Sequence, residues 1–361
     1  MFKENSPSYR IMTLICMCGE CSEKALSILI PHDGNRNKLI TSLVTKKLIT
    51  RYQKKDLFGF RLTGKSKKMI LQTEPERFGF FLENGADYSM RRASISYRIR
   101  QHRISETLAM MERAGIEIYR NNKNNIFEID LEQTEKIVSS AFYLSKEVKT
   151  QQSLTQKIIN SKMTGLWLAE DTAWLCYQST KESLWPFTNI EHRTETLIRS
   201  ILQTAGLNIS QSNALLFGDT MEQAKIHLED GLMRKYILNS NFDRFCFIPM
   251  DENGIMLLQL LNNKDLYDYL LSVLAEDLYQ DINSYITQDG FDSDGLPNLI
   301  CIDCDLKRLI TFNTQLYHSR KPGIIICFDF QRDAIKEYCV DNISFLVVDS
   351  DKIKEAFFSE E

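Results

Sequence analysis

Long apolar runs are missing from this chain. None approaches the roughly 20 residues that a helix needs to cross a bilayer. The first ten residues, MFKENSPSYR, hold no apolar stretch of the secretory kind. No membrane association is expected, and a cytoplasmic location is. Proline is scarce, with 7 in 361 residues, and glycine is modest at 15. These values exclude collagen-like and low-complexity chains. Cysteine is present, nine in all, but without a second pair at zinc-finger spacing: Cys16, Cys18 and Cys21 cluster in one place, Cys301 and Cys304 in another. Buried free thiols are expected. No Gly-x-Ser-x-Gly elbow occurs. The five histidines, at 32, 102, 192, 227 and 318, never approach the His-x-His spacing of a metal-dependent tyrosine relaxase. No metal or other cofactor is expected.

What the chain does have is an uneven distribution of charge. Residues 1–103 hold 20 Lys+Arg against 9 Asp+Glu, a net of +11, and the remaining 258 hold 24 against 39, a net of −15. The overall −4 conceals a basic head on an acidic body. A basic face attracts phosphates without reading sequence, and an acidic body keeps the rest of the protein off the duplex. At 43% hydrophobic content the chain is globular, with two or three domains expected from its length.

The head parses as three helices, a hairpin and a short helix. Residues 9–18 are apolar and helix-like, Gly19 breaks them, and Ser22 can cap a second helix through Leu29. The turn cluster Pro31-His32-Asp33-Gly34-Asn35 follows, and Asn35 is placed to cap a third helix over residues 36–47. On that helix Leu39, Ile40, Leu43 and Val44 form one face, and Lys38, Thr41, Ser42 and Thr45 the other. Arg36 and Lys47 flank it. Short hydrogen-bonding side chains opposite an apolar stripe suit base edges in a DNA groove, and cations at the margins suit phosphates. Phe58, Phe60 and Leu62 then alternate with other residues at strand period. Two strands joined by a tip with Lys54 and Lys55 make a basic β-hairpin, on which Arg61 is expected to reach backbone as well.

Lys47-Leu48-Ile49 after the third helix and Leu62-Thr63-Gly64-Lys65-Ser66 after the hairpin resemble the pattern of winged-helix domains. Lys47 stands where glycine is common, and Ser66 replaces the usual final glycine. Gly59–Ser66 also matches the G-x-x-x-x-G-K-[ST] phosphate loop, but the charged stretch before it and its alternating interior suit a strand better. Downstream lie Arg91, Arg92, Arg98, Arg100, Gln101, His102 and Arg103, and then a helical stretch with Ile104, Leu108 and Met111 on one face. Arg91 and Arg92 add candidate phosphate contacts. The segment Arg100-Gln101-His102-Arg103, with Glu106, Leu108-Ala109 and Ala114-Gly115-Ile116-Glu117, is similar to the helix after the winged helix in the replication-relaxation family of bacterial plasmids and integrative or conjugative elements. The likeness spans residues 9–117. It implies DNA binding in replication, mobilisation or element maintenance, without fixing a reaction.

Residues 118–160 look like a connector, with a short strand at 126–129 and a helix after Leu131. Apolar runs at 165–169 and 172–178, split by Glu170-Asp171, predict a hairpin, and a helix is expected at 191–204. Strands at 214–217, 245–249, 299–303, 324–328 and 344–348 alternate with helices at 221–229, 257–285 (a broken one), 306–317 and 331–339. That alternation indicates an α/β domain with a mostly parallel sheet. Each strand ends in an acid: Asp219, Asp251, Asp303 with Asp305, Asp329, and Asp349 with Asp351. Such aspartates cap the following helices, converge on Mg²⁺ for phosphodiester chemistry, or offer an acidic face to a partner. Glu147-Val148-Lys149, with Asp130 upstream, is a further nuclease-like spacing, but in a helical stretch.

These readings combine into an α/β protein. A winged helix-turn-helix domain is expected at 1–75, a helical connector at 76–160 and an α/β domain at 161–361. The expected partner is double-stranded DNA, held through Arg36, Lys38, Thr41, Ser42, Thr45, Lys47, Lys54, Lys55, Arg61, Arg91 and Arg92. The acidic domain is assigned to a protein partner or to self-association. A metal-dependent nuclease using the strand-end aspartates is the alternative.

Overall fold

A computed structural model describes residues 3–83, 93–124, 126, 140–149, 158, 160–179, 189–234, 242–280 and 286–358. The protein is mixed α/β and divides into two compact units. The first is Met1–Lys157 with Thr164–Leu168, and the second is Ile158–Met163 with Ala169–Glu361.

In the first unit, α1 (Pro7–Cys18) begins at Ser6, whose hydroxyl accepts from Tyr9 N–H at 3.3 Å, and ends at Gly19 with φ 76°. Only glycine takes that backbone cheaply. α2 (Glu23–Leu29) is capped as the sequence predicts: Ser22 Oγ accepts from Ala25 N–H at 2.9 Å. α3 (Asp33–Thr45) starts three residues earlier than expected. His32, not Asn35, supplies the cap, its Nδ1 accepting from Asn35 N–H at 3.3 Å. β1 (Ile49–Lys54) and β2 (Leu57–Leu62) form an antiparallel hairpin in which Lys54 pairs with Leu57. α4 (Gly64–Thr73) and α5 (Pro75–Glu83) follow, then α6 (Ile95–Arg113).

α6 corrects the expected connector. It packs along α1 and α2, and Leu108, Ala109, Met110 and Met111 on it are fully buried with Ile11, Leu14, Ile15 and Leu26. Each such large side chain contributes about 1.5–3 kcal/mol, so α6 is part of the head's core. After a short 3₁₀ turn (Arg120–Asn122) come β3 (Ser140–Leu144), α7 (Ser145–Lys149) and β4 (Gly165–Ala169), with β3 beside β4. The strand expected at 126–129, apart from Ile126, and the helix after Leu131 lie outside the described residues.

In the second unit, β5 (Thr172–Gln178), β6 (Gln211–Gly218) and β7 (Phe245–Pro249) run parallel, connected by α8 (Asn189–Thr204) and α9 (Glu222–Arg234). The expected long helix is two, α10 (Glu252–Asn262) and α11 (Lys264–Leu274). They break at Asn263, whose side chain caps the second by accepting from Leu266 N–H at 3.1 Å. β8 (Gly290–Phe291), β9 (Pro297–Ile300), β10 (Gly323–Phe328) and β11 (Ile343–Val348) form a second sheet in the order β11-β10-β9-β8, parallel except for β8. α12 (Leu306–Ser319), α13 (Asp329–Lys336) and α14 (Ser350–Phe357) accompany it. β9 stops three residues short of the expected Asp303 because the chain turns there. Cys304 has φ 53° and donates its N–H to Cys301 O at 3.1 Å. Among the described residues no helix is long and apolar enough to cross a membrane.

Candidate nucleic-acid interface

α3 buries Ile40 (4% exposed) and Leu43 (1%), while Leu39 and Val44 are half-buried. Lys38, Thr41 and Thr45 stand exposed on the other side, and Ser42 is half-buried. Their i, i+3, i+7 spacing keeps the three exposed residues on one strip. Lys38 makes no ion pair among the described residues. Arg36, in contrast, turns back. Its guanidinium donates to Ile30 O at 3.1 Å and pairs with Asp33 at 2.6 Å, so it braces the entry turn of α3.

The exit of α3 is held by α4. Lys47 adopts φ 55°, the left-handed conformation in which helices usually end on glycine. Its carbonyl accepts from Thr63 Oγ1 at 2.7 Å, and the carbonyl of Leu48 accepts from Ser66 Oγ at 2.6 Å and from Thr63 N–H at 3.0 Å. Lys46, Lys47, Lys65 and Lys68 are exposed around this junction. The same bonds dispose of the phosphate-loop match. Gly59–Leu62 run straight in β2, Thr63 caps α4, and Ser66 is fully buried. No loop is left to wrap a phosphate.

The hairpin tip is exposed at Lys54, Lys55 and Asp56, and Arg51 is exposed on β1. Lys54 Nζ leans toward Ala93 O at 3.4 Å, the residue that leads into α6. Arg61 departs from expectation. It is 9% exposed and pairs with Glu20 at 2.6 Å, with its guanidinium 3.6 Å from the centre of the Tyr52 ring. The alternation of β2 sets Phe58, Phe60 and Leu62 on one face and Arg61 on the other, where the sequence alone predicts exposure. α6 covers that second face. Arg98, fully buried, donates to Glu20 at 2.6 to 3.0 Å and reaches Tyr52 O and Leu57 O, one on each strand, at 3.2 Å. His102 Nε2 lies 2.8 Å from the same carboxylate. Burial pushes the Glu20 carboxyl up, but the hydrogen bonds from His102, Arg98 and Arg61 outweigh it and hold it down at about 2. Gly59 is required here: a Cβ would come within 2.5 Å of Glu20 Oε1 and 2.7 Å of His102 Nε2. Arg91 and Arg92 lie outside the described residues.

The strand-end aspartates do not converge. Asp251, Asp305 and Asp349 cap α10, α12 and α14 through pairs of backbone N–H groups. Asp329 accepts from Ser350 N–H at 3.2 Å, and the Asp219 N–H donates to Gln223 Oε1 at 2.6 Å. Asp303 is buried against Arg244 and accepts from Tyr267 OH at 3.1 Å. Burial, reinforced by Asp303, pushes the Asp305 carboxyl up to about 6. Glu147 pairs with the buried Lys123 at 2.9 Å, so it ties β3 and α7 into the core. Asp130, its expected upstream partner, lies outside the described residues. Eight of the nine cysteines are buried and all are free. No group of three His, Cys, Asp or Glu among the described residues is placed to hold a metal ion.

Motif reading missed Lys46, Arg51, Lys65 and Lys68. The only signal for them was their position beside the helix and hairpin already singled out. No family model matches this chain, and no curated protein or solved structure does so either.

Proposed function

We propose that the first unit is a winged-helix module that binds duplex DNA. α3 enters the major groove with Lys38, Thr41 and Thr45 toward base edges, and the β1–β2 hairpin is the wing that lies along the adjacent backbone. The observation that carries this reading is the exposed polar strip of α3, opposite its buried Ile40 and Leu43. Lys46, Lys47, Lys54 and Lys55 supply phosphate contacts around it, and Ser42 a marginal one. Arg36 and Arg61 act indirectly, by fixing the entry of α3 and the base of the wing. The resemblance of residues 9–117 to replication-relaxation proteins supports a role for this binding in replication, mobilisation or transcriptional control of a bacterial mobile element. The acidic unit is assigned to a protein partner or self-association. Its α11 supports this by exposing Tyr269 (56%) and Val273 (46%) among Asp265, Asp268 and Glu276.

The test is fluorescence anisotropy of the full chain on random-sequence duplexes from 50 to 200 mM salt. Several phosphate contacts predict affinity that falls by orders of magnitude across that range, with a linear log–log slope near −0.9 per contact. Absence of binding at 50 mM salt rules the reading out.

A further inference from the structure

One cleft in the basic unit reverses the local sign of charge. It measures about 650 Å³ and opens where the start of α1, the end of α4 and the start of α5 meet, a volume suited to a small organic molecule. Met12 (2% exposed) and Ile70 (7%) form its floor with the half-buried Met69. Thioether side chains adapt to irregular apolar shapes. The rim carries Glu4, Glu74 and Glu76 against the single guanidinium of Arg77.

Arg77 is already committed. It pairs with Glu4 at 2.7 Å and Glu74 at 2.9 Å, donates to Tyr9 OH at 2.6 Å and to Asn121 Oδ1 at 2.9 Å, and lies 4.6 Å over the Tyr119 ring. Tyr9 OH donates to Glu74 at 2.7 Å. Burial and then Glu74 raise the Tyr9 hydroxyl well above its ordinary range, so the phenol stays neutral. Glu76 is exposed and makes no ion pair among the described residues. Three carboxylates over an apolar floor therefore face one guanidinium that Glu4, Glu74, Tyr9 and Asn121 already occupy.

We propose that this cleft binds an organic cation with an apolar body. The floor takes the apolar part, and the carboxylate rim takes the charge while repelling anions, nucleic acid among them.

Isothermal titration of the full chain with tetraphenylphosphonium tests this, with triphenylphosphine oxide as the neutral analogue and spermidine as a cation lacking the apolar body. Saturable binding at least tenfold tighter than either comparator is expected. Glu4→Gln with Glu76→Gln should weaken it at least tenfold. Thr73→Lys, which sets a rival cation at the exposed edge of the cleft, should abolish it with the circular dichroism spectrum unchanged. Equal affinity for the neutral analogue or for spermidine overturns the proposal, as does the absence of saturable binding. So does binding that survives Thr73→Lys. The titration contains no DNA, so its outcome is separate from that of the DNA-binding assay.

Discussion

The cations of the first unit live under opposite rules on the two sides of one hairpin. Beneath it, Arg61 and Arg98 crowd around Glu20, withdrawn from water and stacked on Tyr52. At its tip and along the neighbouring helix, Lys38, Lys47 and Lys55 stand in solvent with no ion-pair partner among the described residues. Sequence composition counts all of them alike in the +11 surplus. The structure separates a set that holds the hairpin to α6 from a set available to a polyanion. Buried ion pairs are costly to break and surface charges cheap to remove, so the two sets predict different consequences of mutation.

The largest effect is expected at Glu20. Glu20→Gln leaves two buried guanidiniums short of countercharge and should destabilise the first unit by about 3–5 kcal/mol, read from urea denaturation at pH 7. A loss under 1 kcal/mol would dissolve the distinction between the sets. The pH dependence sharpens it. The folded-state carboxyl sits near 2, below its ordinary value of 4.5. Its contribution is therefore complete above about pH 4.5 and declines as pH falls toward 2, by roughly 3 kcal/mol in all. The gap between wild type and Glu20→Gln should narrow over that acid window and hold constant from pH 5 to 7.

The outward set should behave in the reverse way. Lys54→Ala with Lys55→Ala is expected to leave the urea midpoint within about 0.5 kcal/mol of wild type. It should weaken binding to every duplex alike and reduce the salt slope by about 2. An unchanged slope would remove the tip from the interface. For binding, the smallest expected effect is that of Thr41→Ala or Thr45→Ala, a change of about 0.5–1.5 kcal/mol in preference for a selected site over a scrambled one, with the salt slope intact. If both duplexes weakened equally, these threonines would belong with the phosphate contacts.

Local signals in the sequence were legible. Ser22 announced the start of α2, the alternation of Phe58, Phe60 and Leu62 announced β2, and the strand–helix alternation announced the α/β second unit. The expected strand at 245–249 is β7 itself. What stayed hidden was long in sequence and short in space. Glu20 is 41 residues from Arg61, 78 from Arg98 and 82 from His102. Periodicity compares neighbours two to four apart and cannot see that α6 closes the second face of the hairpin. For the same reason nothing in the arginine-rich stretch from Arg91 to Arg103 singles out Arg98, which is fully buried. Imidazole is an uncommon cap, so the sequence does not single out His32, whereas Asn35, three positions on, fits the usual preference.

Lys47 has a consequence of its own. A side chain in the left-handed region costs about 1–2 kcal/mol that glycine would avoid, and here that residue is an exposed cation at the end of α3. Lys47→Gly should raise the melting temperature while lowering affinity for DNA. A programme that selected variants of this protein for heat resistance alone would thus drift toward molecules that survive well and grip poorly, and the first sign would appear at this single position.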